Sequence, residues 1–156
     1  MLLWVAAVVF APLAITSRVS AIARAAALVY ATGSLVCHQR PDRSFHIHGH
    51  QLAVCARCTG LYVSALAGGV LALALGVTSI SSSRARLWLG AAAVPTLLTV
   101  GLELAGFAYP SNTVRMLSAL PLGAVAALLL MGVLHGAPST STEHPAPSTE
   151  HPAPST

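Results

Sequence analysis

The chain has 156 residues, of which 55% are hydrophobic and only 8% charged, with a mean hydropathy of +0.75. A soluble domain carries about 25% charged residues, so this chain lacks the polar surface that a water-facing globule needs and reads as a membrane protein. Its net charge of +4 arises from eight arginines against four acids; these arginines flank apolar runs and do not cluster among aromatics, so no nucleic-acid partner is expected and the expected partner is the lipid bilayer.

In chain order, Leu2 to Thr16 is the first apolar run. Crossing about 30 Å of hydrocarbon takes about twenty helical residues, so this run is short for a span. No positive charge precedes it, which favours an uncleaved first helix over a signal-peptide core. Val19 to Val36 is apolar apart from Arg24. It either spans, with Arg24 snorkelling, or lies flat as an amphipathic helix. Leu61 to Ile80 is a span rich in Gly and Ala, which lets neighbouring helices approach closely. A polar turn at 81–86 follows, with Arg84 and Arg86, then a span from Leu87 to about Tyr109 and a last one from Val114 to Leu134. Pro110, Ser111 and Asn112 separate these two with turn chemistry.

The expected fold is therefore all-α: an integral membrane bundle of four or five helices over residues 1–136, in a multi-pass topology that suits a prokaryotic plasma membrane. Residues 137–156 repeat STEHPAP and form a disordered Pro/Ser/Thr tail, in which His144 and His151 are solvated spacers. Two crossings separate the stretch before Leu61 from the turn at 110–115, so both face the same side. Arg84 and Arg86 place their own loop in the cytoplasm and that stretch outside; Arg40, Arg43 and Arg57 argue the reverse unless they have partners in a site.

Nearly all of the chemistry lies in one segment, residues 37–60, CHQRPDRSFHIHGHQLAVCARCTG. It holds all three cysteines of the chain. Cys55 and Cys58 form a C-x-x-C whose sulfurs can meet at one tetrahedral ion, and Cys37 and His38 supply further soft donors. Such a set suits zinc, with copper or iron as alternatives, better than magnesium or calcium. Adjacent side chains such as Cys37 and His38 rarely face one ion, so His46, His48 and His50 are reserve candidates for a fourth ligand. These three alternate, which would put them on one face of an extended strand, but that regularity fails in a loop and polar loop positions are the preferred reading. The same C-x-x-C also suits thiol–disulfide chemistry, because Arg57 and a following helix N-terminus both favour a thiolate. Glu103 stands about six residues inside its expected helix, roughly 9 Å deep, as either a functional acid or a structural partner for Arg40, Arg43, Arg57 or Arg115. No nucleotide, hydrolase or metalloprotease motif is present.

CHQRPDRSF at 37–45 and VCARCTGLY at 54–62 resemble the membrane family DUF2085. Its pattern runs from CHQ through RSF to CARCTG, with an acid in a later span and a Ser/Thr-Asn-x-x-Arg element opening the last helix. Glu103 and the set Ser111, Asn112 and Arg115 fit those later positions. The resemblance covers residues from about 20 to 134 and marks Cys37, His38, Gln39, Arg43, Ser44, Phe45, Cys55, Arg57, Cys58, Thr59 and Gly60; it does not extend to His46, His48, His50 or the tail. It implies a small multi-helix membrane protein of undetermined biochemical role. The expected site is then a metal bound by Cys37, His38, Cys55 and Cys58, with Gln39, Arg43, Arg57, Glu103, Asn112 and Arg115 around it. A membrane thiol oxidoreductase and a small metal-ion transporter are the alternatives, and enzymatic activity stays open between them.

Overall fold

The computed structural model describes residues 1–77 and 81–136. The expected tail, with its STEHPAP repeats, lies outside the described residues. Among the described residues there are five α-helices: α1 (Leu2–Ala14), α2 (Ser20–Ser34), α3 (Ala56–Ala74), α4 (Ser82–Leu104) and α5 (Asn112–Gly136). Of these, only α3, α4 and α5 are long and apolar enough to cross a membrane. With 13 and 15 residues, α1 and α2 reach only about 20 Å at 1.5 Å per residue. They pack against each other and cover the loop of residues 35–55 that joins α2 to α3.

The helix ends differ from the sequence expectation, for identifiable reasons. α3 starts at Ala56, five residues before Leu61, because Cys55 takes the extended conformation of an N-cap and the C-x-x-C is wound into the first turn. α3 stops well short of Ile80. Gly76 adopts φ +60°, and the amides of Gly76 and Val77 bond back to the carbonyls of Leu73 and Ala72. That left-handed glycine cap satisfies the helix's last carbonyls. The same motif ends α4 at Leu104 instead of Tyr109: Gly106 has φ +73°, with Gly106 bonded to Glu103 and Phe107 to Leu102. Glu103 thus stands in the last turn of α4, not a turn and a half inside it. At the other end of α4, Arg84 and Arg86 belong to the helix, not to a turn. α5 opens two residues early, at Asn112, where the Ser111 hydroxyl accepts the Val114 amide at 3.4 Å.

α3 and α5 form the tightest pair in the bundle. Gly60 faces the backbone of Met116, Gly68 that of Ala124, and Gly123 that of Leu61, so each backbone lies where a side chain would stand. In lipid, where apolar burial gives no advantage over hydrocarbon, such close backbone packing is a main source of helix association. α4 lies on the outside of α5 and buries only Ala92 and Glu103. It is tied to α5 by the Thr96 hydroxyl, which donates to the Ser118 carbonyl at 2.8 Å, and by a Thr99–Ser118 hydroxyl contact at 3.2 Å.

The core between α1, α2 and the loop is small. Val8 of α1 packs with Cys37, Leu52 and Val54 of the loop, while Ala11 and Ala26 close on Ala53. Trp4 meets Tyr62 of α3 edge-to-face at 6.2 Å between ring centroids. Within the loop, His46–Ile47 and His50–Gln51 form a two-stranded hairpin, β1 and β2, paired His46 to Gln51 and Ile47 to His50. His48 and Gly49 both take positive φ, as a two-residue turn of this twist requires. The close approach at Gly68 predicts that Gly68→Val destabilises the bundle by about 1–3 kcal/mol through overpacking, whereas Gly101→Ala, which meets no atom within 4 Å, does not. Thermal midpoints in detergent would separate the two.

Candidate metal and anion centre

The loop is held by polar contacts to its own backbone. Gln39, at φ +47°, donates through Nε2 to the carbonyls of Tyr30 at 2.7 Å and Ala53 at 2.6 Å. The Gln51 amide donates to the Gln39 carbonyl and to Ser44 Oγ, and the Tyr30 hydroxyl donates to the Gln51 carbonyl. Ser44, fully buried, donates to the Arg40 carbonyl at 2.8 Å. These bonds satisfy carbonyls that would otherwise be stranded between helices. From sequence, Tyr30 reads only as an interfacial aromatic near a segment end and Gln51 as a polar loop residue, because neither carries a spacing signal for these contacts.

This scaffold brings the sulfurs of Cys37, Cys55 and Cys58 within 4.8 Å of one another, and all three thiols are free. Cys55 is the N-cap of α3 and Cys58 is three residues along it, so the first turn of the helix sets their spacing. Cys37 reaches them from the end of α2, and the Cys55 amide donates to its sulfur at 3.2 Å. Sulfurs bound at 2.3 Å to a tetrahedral ion stand about 3.8 Å apart. The spacing of the three sulfurs is therefore compatible with one metal ion that Cys37, Cys55 and Cys58 would hold, and all three line an adjoining cavity of about 350 Å3.

His38 is exposed; it borders that cavity and stands outside the sulfur triangle. His46, His48 and His50 are exposed on the hairpin. Their alternation does not give a common face, since His48 sits in the turn and the register puts His46 and His50 on opposite faces.

Beside the sulfurs lies an ion cluster. Glu103 is 8% exposed and takes three guanidiniums: Arg57 at 2.8 Å on one oxygen, and Arg115 at 2.9 Å and Arg43 at 3.1 Å on the other. Arg115 also donates to Asn112 Oδ1 at 3.0 Å, and Asn112 in turn donates to the Ser44 carbonyl at 3.0 Å. The loop, α3, α4 and α5 thus converge on one carboxylate. This places the cysteine loop and the Ser111–Arg115 element at the same end of the bundle.

The Cys55 thiol is shifted down, to about 5. The main cause is the Cys58 thiol donating to its sulfur, with smaller help from the Cys58 and Arg57 backbone amides of the first helical turn and from Cys37. A lowered acid contributes stability that is full above its unfolded value of 9.0 and fades as pH falls toward about 5. Alkylation of Cys55 in chelator-treated protein is accordingly expected to run at an even rate from pH 8 to 6 and to drop only near pH 5; mass spectrometry of the labelled peptide would follow it. Glu103→Gln should cost about 3–5 kcal/mol, because it leaves three guanidiniums without their anion, and Glu103→Asp less. Denaturation in detergent would give the ranking.

Comparison with known proteins gives the chain a family. The family described as "Predicted membrane protein (DUF2085)" matches residues 37–129. An uncharacterized protein of Methanothermobacter thermautotrophicus is 30% identical over 100 residues, which is 64% of this chain and 88% of that protein. An uncharacterized protein of Methanocaldococcus jannaschii is 56% identical over 43 residues, 28% of each chain, so the match spans just over a quarter of that relative's length. No solved structure matches. From the first cysteine to the middle of α5, the chain belongs to DUF2085, a family of predicted membrane proteins.

Proposed function

We propose that this chain is a multi-pass protein of a prokaryotic plasma membrane that binds a soft transition metal, zinc in first place, through Cys37, Cys55 and Cys58. His38 is the fourth donor, reached by a side-chain rotation across the cavity. The observation that carries this reading is the convergence of three unpaired sulfurs within 4.8 Å, drawn from two separate chain segments. A dication with three thiolates has a net charge of minus one. The arginines around Glu103 and the positive end of α3 offset that charge, in a place where it would otherwise be costly to keep beside hydrocarbon. The metal would pin the loop to α3 and so fix one end of the bundle. Because Arg43 and Arg57 are engaged by Glu103, they cease to argue for a cytoplasmic loop. Arg84 and Arg86 then decide the orientation, with the metal site on the outer face.

A second reading has its own support. A Cys55 held as thiolate with Cys58 as its hydrogen-bond donor is the arrangement of a thiol–disulfide exchanger, which would pass two electrons between this pair and a partner disulfide or quinone. Elemental analysis of anaerobically purified protein decides between the readings. About one zinc, copper or iron per chain, lost in Cys37→Ser and in Cys55→Ser, is the expected result. Absence of metal together with a Cys55–Cys58 disulfide that forms and breaks with the redox poise would replace the metal reading with the exchanger.

A further inference from the structure

The ion cluster holds more positive charge than its carboxylate neutralises. Arg43, Arg57 and Arg115 surround a single Glu103, and all three border the same cavity as the sulfurs. Arg40 and Asp42, both largely exposed, pair with each other at 3.5 Å, and Asp42 also stands 3.5 Å from Arg43, so this pair cancels in the balance. Three guanidiniums against one carboxylate leave positive charge in excess at the cavity.

The hydrogen-bond inventory agrees. A guanidinium carries five N–H donors and no acceptor. The Nε donors of Arg43, Arg57 and Arg115 are all buried and make no hydrogen bond, although Arg43 Nε lies 3.5 Å from Asp42. Arg115 is only 6% exposed and is still presented to the cavity. Buried donors in a native protein normally have acceptors, and a forked guanidinium is matched best by a planar or tetrahedral oxyanion. The cavity, about 350 Å3, has room for far more than a single water, which takes about 30 Å3.

We propose that the cavity is an oxyanion site, in which Arg43, Arg57 and Arg115 bind a phosphate-class group beside the cysteine cluster. The inference goes beyond the metal reading and holds whether or not the sulfurs carry an ion. The group can belong to a free small anion or to the headgroup of an anionic lipid, since the site stands at a membrane face.

The test uses the full chain. In phospholipid-free micelles, inorganic phosphate should raise the thermal midpoint by roughly 2–4 °C over chloride of equal ionic strength. In nanodiscs, phosphatidylglycerol is compared with phosphatidylcholine. A response to phosphate assigns the site to a soluble anion, and a response to phosphatidylglycerol alone assigns it to lipid. Arg43 is a third exposed, so Arg43→Gln should fold and should weaken the response roughly tenfold in concentration, with Arg43→Lys intermediate. No difference from chloride and from phosphatidylcholine, or an undiminished response in Arg43→Gln, overturns the proposal. Metal content measured on the same preparations reports on the cysteines alone, so the two readings fail separately.

Discussion

The carboxylate of Glu103 is the point on which the bundle's polar end depends. Each of its three cations comes from a different element: Arg43 from the loop, Arg57 from α3 and Arg115 from α5, while Glu103 itself closes α4. α4 has little else to hold it, since it buries only Ala92 besides Glu103 and otherwise contributes two threonine hydroxyl contacts to α5. Near hydrocarbon a lone charge of either sign is expensive, so the cluster is stable only as a set. That interdependence makes it a device for specifying one arrangement of helices, where apolar packing alone would allow several.

The cysteine site relies on the same device at one remove. Arg57 lies between Cys55 and Cys58, so the contact that holds Arg57 to Glu103 also fixes the rotation of the first turn of α3 on which both sulfurs ride. Gln39 does the corresponding service for Cys37 by tying the loop to α2 and to Ala53. The sulfur cluster and the ion cluster are neighbours by construction, because a single helical turn presents Arg57 to one and Cys58 to the other.

Much of this was legible in the residues. The membrane class followed from the scarcity of charge, and the grouping of the 37–60 segment with Glu103, Asn112 and Arg115 followed from counting crossings and from family resemblance. The helix ends follow capping and not polarity. Gly76 and Gly106 are stop signals of the ordinary kind, and reading them as such would have placed Glu103 in the last turn. The opposite error occurred at the start of α3, where polar residues 56–60 were kept out of a helix that they open. The histidine alternation gives no common face, as expected for polar loop positions: period-two reasoning holds within a strand, and His48 and Gly49 reverse the chain in the middle of it. The roles of Tyr30 and Gln51 could not have been read, because they depend on carbonyls brought near only by the folded loop.

The linear order of the clasp has a consequence for biosynthesis. Cys37, Cys55 and Cys58 leave the ribosome before any part of α4, and Glu103 follows Arg57 by 46 residues. During that interval Arg43 and Arg57 lack the Glu103 carboxylate, while the three thiols are already made. The arrival of α4, and then of Arg115, supplies the anion and the last cation, so the ion cluster is the last piece of the polar end to be assembled.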